Sequence, residues 1–204
     1  MMNRTLYLFL ASVFISGCTG GSSAARSDDQ WANYRANALY ERAEEYYSAG
    51  RYAEAINDYS EYLDKYRDLH KSDDASFRIA QSLEALGQRM EAADAYRATG
   101  MAWYRSSLAP NSFLRAGELY EIEGWLRDAK LDYERASEYT TTEAGQTGYQ
   151  RLEAVKKRIA EEEALRKERR RSGGSDEERN TLQTSNLRQW PPPDRTMYDL
   201  ITRK

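Results

Sequence analysis

The chain has 204 residues, room for one domain of ordinary size or one short repeat array. Its 30 Lys and Arg against 33 Asp and Glu give a formal net charge of −3, and a mean hydropathy of −0.89 marks a soluble type of chain overall. One cysteine, Cys18, and one histidine, His70, exclude an internal disulfide framework and any multi-cysteine metal centre, so no cofactor is expected. Between Trp31 and Arg171 there are only one Val and four Ile, so the β-branched aliphatics that favour strands are nearly absent. The expected fold class is therefore all-α.

The chain opens on an address. Arg4 precedes Leu6–Ile15, an apolar run interrupted only by Ser12. It is too short to cross a bilayer permanently and has the length of a signal-peptide core. Ile15-Ser16-Gly17-Cys18 follows, an aliphatic residue and two small residues before a cysteine. This resembles the lipobox of bacterial lipoproteins. The resemblance implies that residues 1–17 are removed as a signal peptide and that Cys18 is the lipid-attachment residue, carrying palmitate-type acyl chains. Each buried CH₂ contributes about 0.8 kcal/mol, so several chains give a lasting anchor. Thr19–Ser27 is small and polar, and residues 18–30 read as the lipidated cysteine and a flexible tether. Thr19, in place of an aspartate after the cysteine, implies outer-membrane sorting within that family.

The middle of the chain repeats itself. Gly50, Gly87 and Gly124 stand 37 residues apart, and Ala55, Ala92 and Ala129 follow each by five. Tyr59, Tyr96 and Tyr133 lie four residues further on, and Ala43, Ala80 and Gly117 seven residues before each glycine. A glycine gives a positive-φ turn, and small residues on either side of it let two antiparallel helices approach closely. The pattern resembles the tetratricopeptide repeat (TPR), with a period of 37 instead of the family's 34. The expectation is a TPR-like α-solenoid of three helix pairs, over about 36–72, 73–109 and 110–146 within 31–146, plus a C-terminal capping helix at 147–171.

The helices expected in chain order are Trp31–Ala49, Tyr52–Tyr66, Asp73–Leu86, Arg89–Arg105, Asn111–Glu123, Leu126–Tyr139 and Thr147–Arg171. Ser72 or Asp73 is the expected cap of the third, and Asn111 or Ser112 of the fifth. Tyr149, Leu152, Val155 and Ile159 form the apolar stripe of the last. Residues 172–186 have no apolar period and read as a disordered linker. Residues 187–204 differ: Trp190 precedes Pro191-Pro192-Pro193, and Met197, Tyr198, Leu200 and Ile201 cluster behind them. This reads as a docking peptide, with Trp190, Tyr198, Leu200 and Ile201 as its anchors, for a partner or for the chain's own acidic groove.

Charge is segregated along the chain. Residues 28–146 carry 14 basic and 23 acidic side chains, and residues 147–171 carry 9 and 5. An acidic body would repel phosphates, so nucleic acid is not an expected partner. His70 sits in the polar stretch Asp68-Leu69-His70-Lys71-Ser72-Asp73-Asp74, read as a surface junction. With no nucleophile elbow, phosphate loop or metal-spaced cluster, neither an enzyme nor a small-molecule substrate is expected.

Carried onto this sequence, the tetratricopeptide resemblance implies a concave groove lined from the first helix of each pair. The candidates are Asn37, Tyr40, Glu44, Tyr47 and Ser48; Asp74, Phe77, Gln81, Glu84 and Ala85; and Asn111, Leu114, Glu118, Glu121 and Ile122. Such a groove is aromatic and acidic, without a Lys/Arg set, and implies a peptide ligand with basic and apolar residues. Lipobox and array together resemble the BamD-like and pilotin-like lipoproteins of the bacterial envelope. That group implies a lipid-anchored, non-catalytic scaffold for protein–protein interaction, assembling or stabilising an outer-membrane complex from the periplasmic side, with an envelope-complex subunit as partner. The alternative is an adaptor that regulates peptidoglycan or other periplasmic enzymes.

Overall fold

The computed structural model describes residues 22–171 and 195–202, with side chains described over 30–171 and 199–202. Among them there is no strand. Eight helices follow one another: α1 (Ser22–Ser48), α2 (Tyr52–Tyr66), α3 (Ser72–Ala85), α4 (Arg89–Ala102), α5 (Ala109–Ile122), α6 (Leu126–Ser137), α7 (Glu143–Arg171) and α8 (Arg195–Thr202). Each helix from α1 to α7 packs on the next, and α7 also touches α5. No described helix is long and apolar enough to cross a membrane.

Three of the connections are built alike. Gly50, Gly87 and Gly124 take φ of 74°, 77° and 81°, where a side chain would be strained. At each, the residue after the glycine donates its N–H five residues back: Arg51 to Tyr46 (2.9 Å), Gln88 to Leu83 (3.0 Å) and Trp125 to Tyr120 (2.7 Å). The glycine itself donates three residues back. This is the Schellman closure, and it satisfies carbonyls that the ending helix leaves open. A Cβ on any of these glycines would meet nothing within 4 Å, so the backbone angle and not space requires glycine there.

The small-residue positions are the closest approaches. Ala43, Ala55, Ala80, Ala92 and Ala129 are fully buried. At Gly117 the requirement is spatial, since a Cβ would lie 2.6 Å from the Tyr133 ring. Tyr59, Tyr96 and Tyr133 are buried and Tyr46 partly so, in one core running from α1 to α7.

Several boundaries differ from the sequence reading. Helix α1 starts at Ser22, so it includes part of the segment read as tether. Lys71, not Ser72 or Asp73, is the N-cap of α3; Ser72 instead donates back to the Leu69 carbonyl at 2.9 Å. Leu108 is the N-cap of α5, ahead of Asn111 and Ser112, because Pro110 suits the first turn, whose N–H groups need no intrahelical partner. In α7, Leu152 and Val155 are buried but Tyr149 is 60% exposed, so the stripe is narrower than expected. The residues read as a linker, 172–186, lie outside the described ones, as do Cys18 and Trp190.

Helix α8 was not anticipated as a helix. It returns to the body and packs on α4 and, to a smaller extent, α2. Ile201 is fully buried and belongs to the core. The acidic groove proposed for self-docking lies elsewhere, on α1, α3 and α5.

A polar cluster fills the junction of α4, α5 and α6. The Arg97 guanidinium donates to both oxygens of Asp132, at 2.7–3.0 Å, and to Asp128 at 3.3 Å, and lies 4.3 Å over the Tyr120 ring. Tyr120 donates to Asp94. Burial pushes Asp94 and Asp132 up to about 6 despite these donors. An aspartate raised in the folded state keeps a proton that the unfolded chain releases between about pH 4 and 6. These two groups therefore add stability as pH falls through that window and lose it as pH rises. The melting temperature should not drop between pH 7 and pH 5.5, and Asp94→Asn should remove part of this acid-side gain. An equal fall in both proteins would show that the pair does not titrate there.

Candidate functional site

A cavity of about 550 Å³ opens between α1, α3 and α5, with Tyr96 of α4 in its wall. Its apolar side is Tyr47, Phe77 and Leu114. Gln81, Glu84, Asn111, Arg115 and Glu118 supply its polar groups, and Ala85 leaves room at the rim. Phe77 packs edge-on against Tyr96 with ring centroids 5.3 Å apart, and Tyr47 meets Tyr52 in the same way at 5.5 Å. The rings are therefore fixed by neighbours beneath them, which lowers the entropy cost of using them as contacts.

The helical spacing explains the convergence. Phe77, Gln81 and Glu84 recur at four and three residues along α3, and Asn111, Leu114 and Glu118 at three and four along α5. Each set makes one helix face. Buried alanines behind those faces, Ala80 on α3 and Ala116 on α5, turn the larger residues outward into the cavity.

Eight of the fifteen groove candidates expected from sequence meet here: Tyr47, Phe77, Gln81, Glu84, Ala85, Asn111, Leu114 and Glu118. Asn37, Tyr40, Glu44, Ser48, Asp74, Glu121 and Ile122 do not line the cavity. Tyr40 is 6% exposed, packed edge-on against Tyr59 and Tyr62, with its hydroxyl donating to Asp74, so it is a core residue. Glu44 and Glu121 lie on the same helices but accept from core tyrosines, Tyr59 and Tyr133, the latter at 2.8 Å. Ile122 is 63% exposed beyond the cavity.

The groove is not free of arginine. Arg115 donates to Glu84 with Nε at 3.0 Å and to Glu118 with Nη1 at 2.6 Å. Arg78 lies 3.0 Å from Glu44 and 4.7 Å over the Tyr47 ring, and Arg158 of α7 is 2.5 Å from Glu121. Arg115 holds the Glu84 carboxyl below its usual value, and burial pushes the Tyr96 hydroxyl above its own. Four acids thus share three arginines, so among these groups only a modest negative excess remains. A signal was present in the sequence: Arg78 and Arg115 stand 37 residues apart, like the glycines. They fall outside the five fixed groove positions per helix that the tetratricopeptide resemblance implies.

The docking anchors fare unevenly. Ile201 is buried, Leu200 is half-buried, and Tyr198 lies on α8 with its side chain outside the described set. His70 is exposed between α2 and α3. Among the described residues, no group of His, Cys, Asp or Glu is placed to hold a metal ion. No family model matches this chain, and no curated protein sequence matches it.

Proposed function

We propose that the chain is a lipid-anchored scaffold of the bacterial envelope, TPR-like in architecture, that holds a peptide segment of a partner protein in the cavity between α1, α3 and α5. The observation that carries the reading is the cavity itself: a concave, ring-lined space with convergent polar groups, the usual form of a recognition site. The three like-built glycine turns and the small-residue positions support a repeat architecture, because each closes the two helices of a pair on one another in the same way. Tyr47, Phe77 and Leu114 take an apolar side chain. Gln81 and Asn111 offer amide donors and acceptors to an extended backbone. The negative excess favours a ligand with a basic residue beside the apolar one.

Changing Tyr47 and Phe77 together to Ala should weaken partner capture from native membranes by about 2 kcal/mol or more, the scale of aromatic anchors. Both rings sit at the cavity edge of the core, so helical circular dichroism should be retained. Capture by the folded double variant equal to wild type would remove the cavity from the account.

The anchor rests on the lipobox resemblance. Mass spectrometry of the mature N-terminus should find an acylated Cys18, and Cys18→Ser should leave the chain uncleaved or mislocalised. An unmodified N-terminus at another position in the wild type would end this part of the proposal.

A further inference from the structure

The junction between α4 and α6 and the one between α2 and α4 are closed by different means. In the former, Arg97 of α4 clamps Asp128 and Asp132 of α6. Thirty-seven residues earlier, the corresponding positions are Ser60 on α2 and Glu91 and Ala95 on α4. The arginine and one of its two aspartates are thus replaced by small residues. Ala95 and Ala98 leave α4 with a low surface, both buried. Helix α8 lies at this junction, against α4 and α2.

What holds α8 there has a definite chemistry. Arg67, the C-cap residue of α2, donates to the carbonyls of Leu200, at 2.7 Å, and Ile201. Those carbonyls belong to the last turn of α8, where a helix has no partners of its own and carries partial negative charge. The Arg67 guanidinium is set 5.2 Å over the Trp103 ring. Ile201 fills the apolar seat, and Asp199 faces solvent. So the surface reads two things in a ligand: an aliphatic side chain at the end of a helix and the open carbonyls beside it.

Eight residues are too few to form a stable helix alone. The helix is thus made by docking, and among its described side chains, 199–202, Ile201 is the one fully buried, joined by one bridging arginine, the size of contact that suits a reversible latch. We propose that the α2–α4 face is a helix-docking site, with Arg67 and Trp103 as its clamp, and that the chain's own C-terminal segment is its reversible occupant. The site takes a short amphipathic helix ending in paired aliphatic residues. Occupied, it ties the first two helix pairs together where the Arg97 clamp is missing. Vacated, it exposes an apolar seat that such a helix can enter from outside.

A fluorescent peptide of residues 187–204 tests this on the full-length chain carrying Cys18→Ser. Wild type should bind it at least tenfold more weakly than Ile201→Asp, because the resident segment competes. Adding Arg67→Ala to Ile201→Asp should abolish most of the gain. Binding to neither protein, or equal binding to both, would overturn the proposal. Should Ile201→Asp fail to fold, a spin label at position 199 (Asp199→Cys, again with Cys18→Ser) decides instead. It should broaden amide signals of α2 and α4 more strongly than those of α7; no such broadening would overturn the docking. A wild-type dimer that dissociates in Ile201→Asp would place α8 on a second copy and overturn the intramolecular occupancy.

Discussion

Ala92→Arg is expected to unfold most of the molecule. Ala92 is fully buried on α4 and belongs to the core that runs from α1 to α7. An arginine there adds a long side chain where helices touch, and overpacking of that kind costs about 1–3 kcal/mol. It also buries a charge with no partner, at several kcal/mol more. The sum approaches the whole stability of an ordinary domain, about 5–15 kcal/mol. A urea titration followed by circular dichroism should show a midpoint shifted far down or no folded baseline. A midpoint equal to wild type would mean that Ala92 does not lie at a helix contact.

The second large effect is expected at Arg97. Asp132 is fully buried, and Arg135, at 3.8 Å, is its only other cationic neighbour among the salt bridges of the described residues. Arg97→Met removes the main counter-charge while keeping most of the side-chain volume. Breaking a buried pair from one side costs about 3–5 kcal/mol, since the remaining charge is left without solvent. Asp132 would then be pushed further toward its protonated form, so the loss should be smaller at pH 5 than at pH 7. The double change Arg97→Met and Asp132→Leu should recover much of the stability, because no charge remains to be buried. A double-mutant cycle in denaturant measures this directly. Additive losses in the cycle would show that the two residues are not energetically coupled.

Much of the fold was legible because its constraints are local. The three glycines were read as positive-φ turns, and all three have positive φ. The alanine positions were read as helix contacts, and those positions are buried. Four of the seven expected helices, α2, α3, α5 and α6, lie within two residues of the observed bounds at both ends; α4 stops three residues earlier, α7 begins four earlier and α1 begins nine earlier. The caps of α3 and α5 differ from the expected Ser, Asp and Asn because those residues are favoured at caps only where the backbone turns. Ser72 and Ser112 bond backward to carbonyls instead, and Pro110 sets the start of α5.

The cavity was half legible. Residues on one face of α3 and α5 follow from helical periodicity, so Phe77, Gln81, Glu84, Leu114 and Glu118 could be placed. Tyr40 could not, because whether a tyrosine faces a groove or a core depends on the neighbouring helices, here through Tyr59, Tyr62 and Asp74. The arginines that neutralise the acids were also out of reach of a one-helix reading. Arg115 reaches Glu84 across 31 positions and Arg158 reaches Glu121 across 37. The seat of α8 was invisible for the same reason. Charge pointed the C-terminal segment toward the acidic groove, whereas burial of Ile201 and an arginine at a helix end draw it to α4 and α2.

The central claim is that the cavity between α1, α3 and α5 is where a partner is held. A photo-crosslinking residue at Gln81, inside that cavity, tests it in intact cells, with the same residue at the exposed Leu131 of α6 as the control position. The account predicts one dominant adduct from position 81, formed with an envelope protein, absent from position 131 and lost when Tyr47 and Phe77 are both changed to Ala. No adduct from position 81, or one that survives the double change and also forms from position 131, would contradict it.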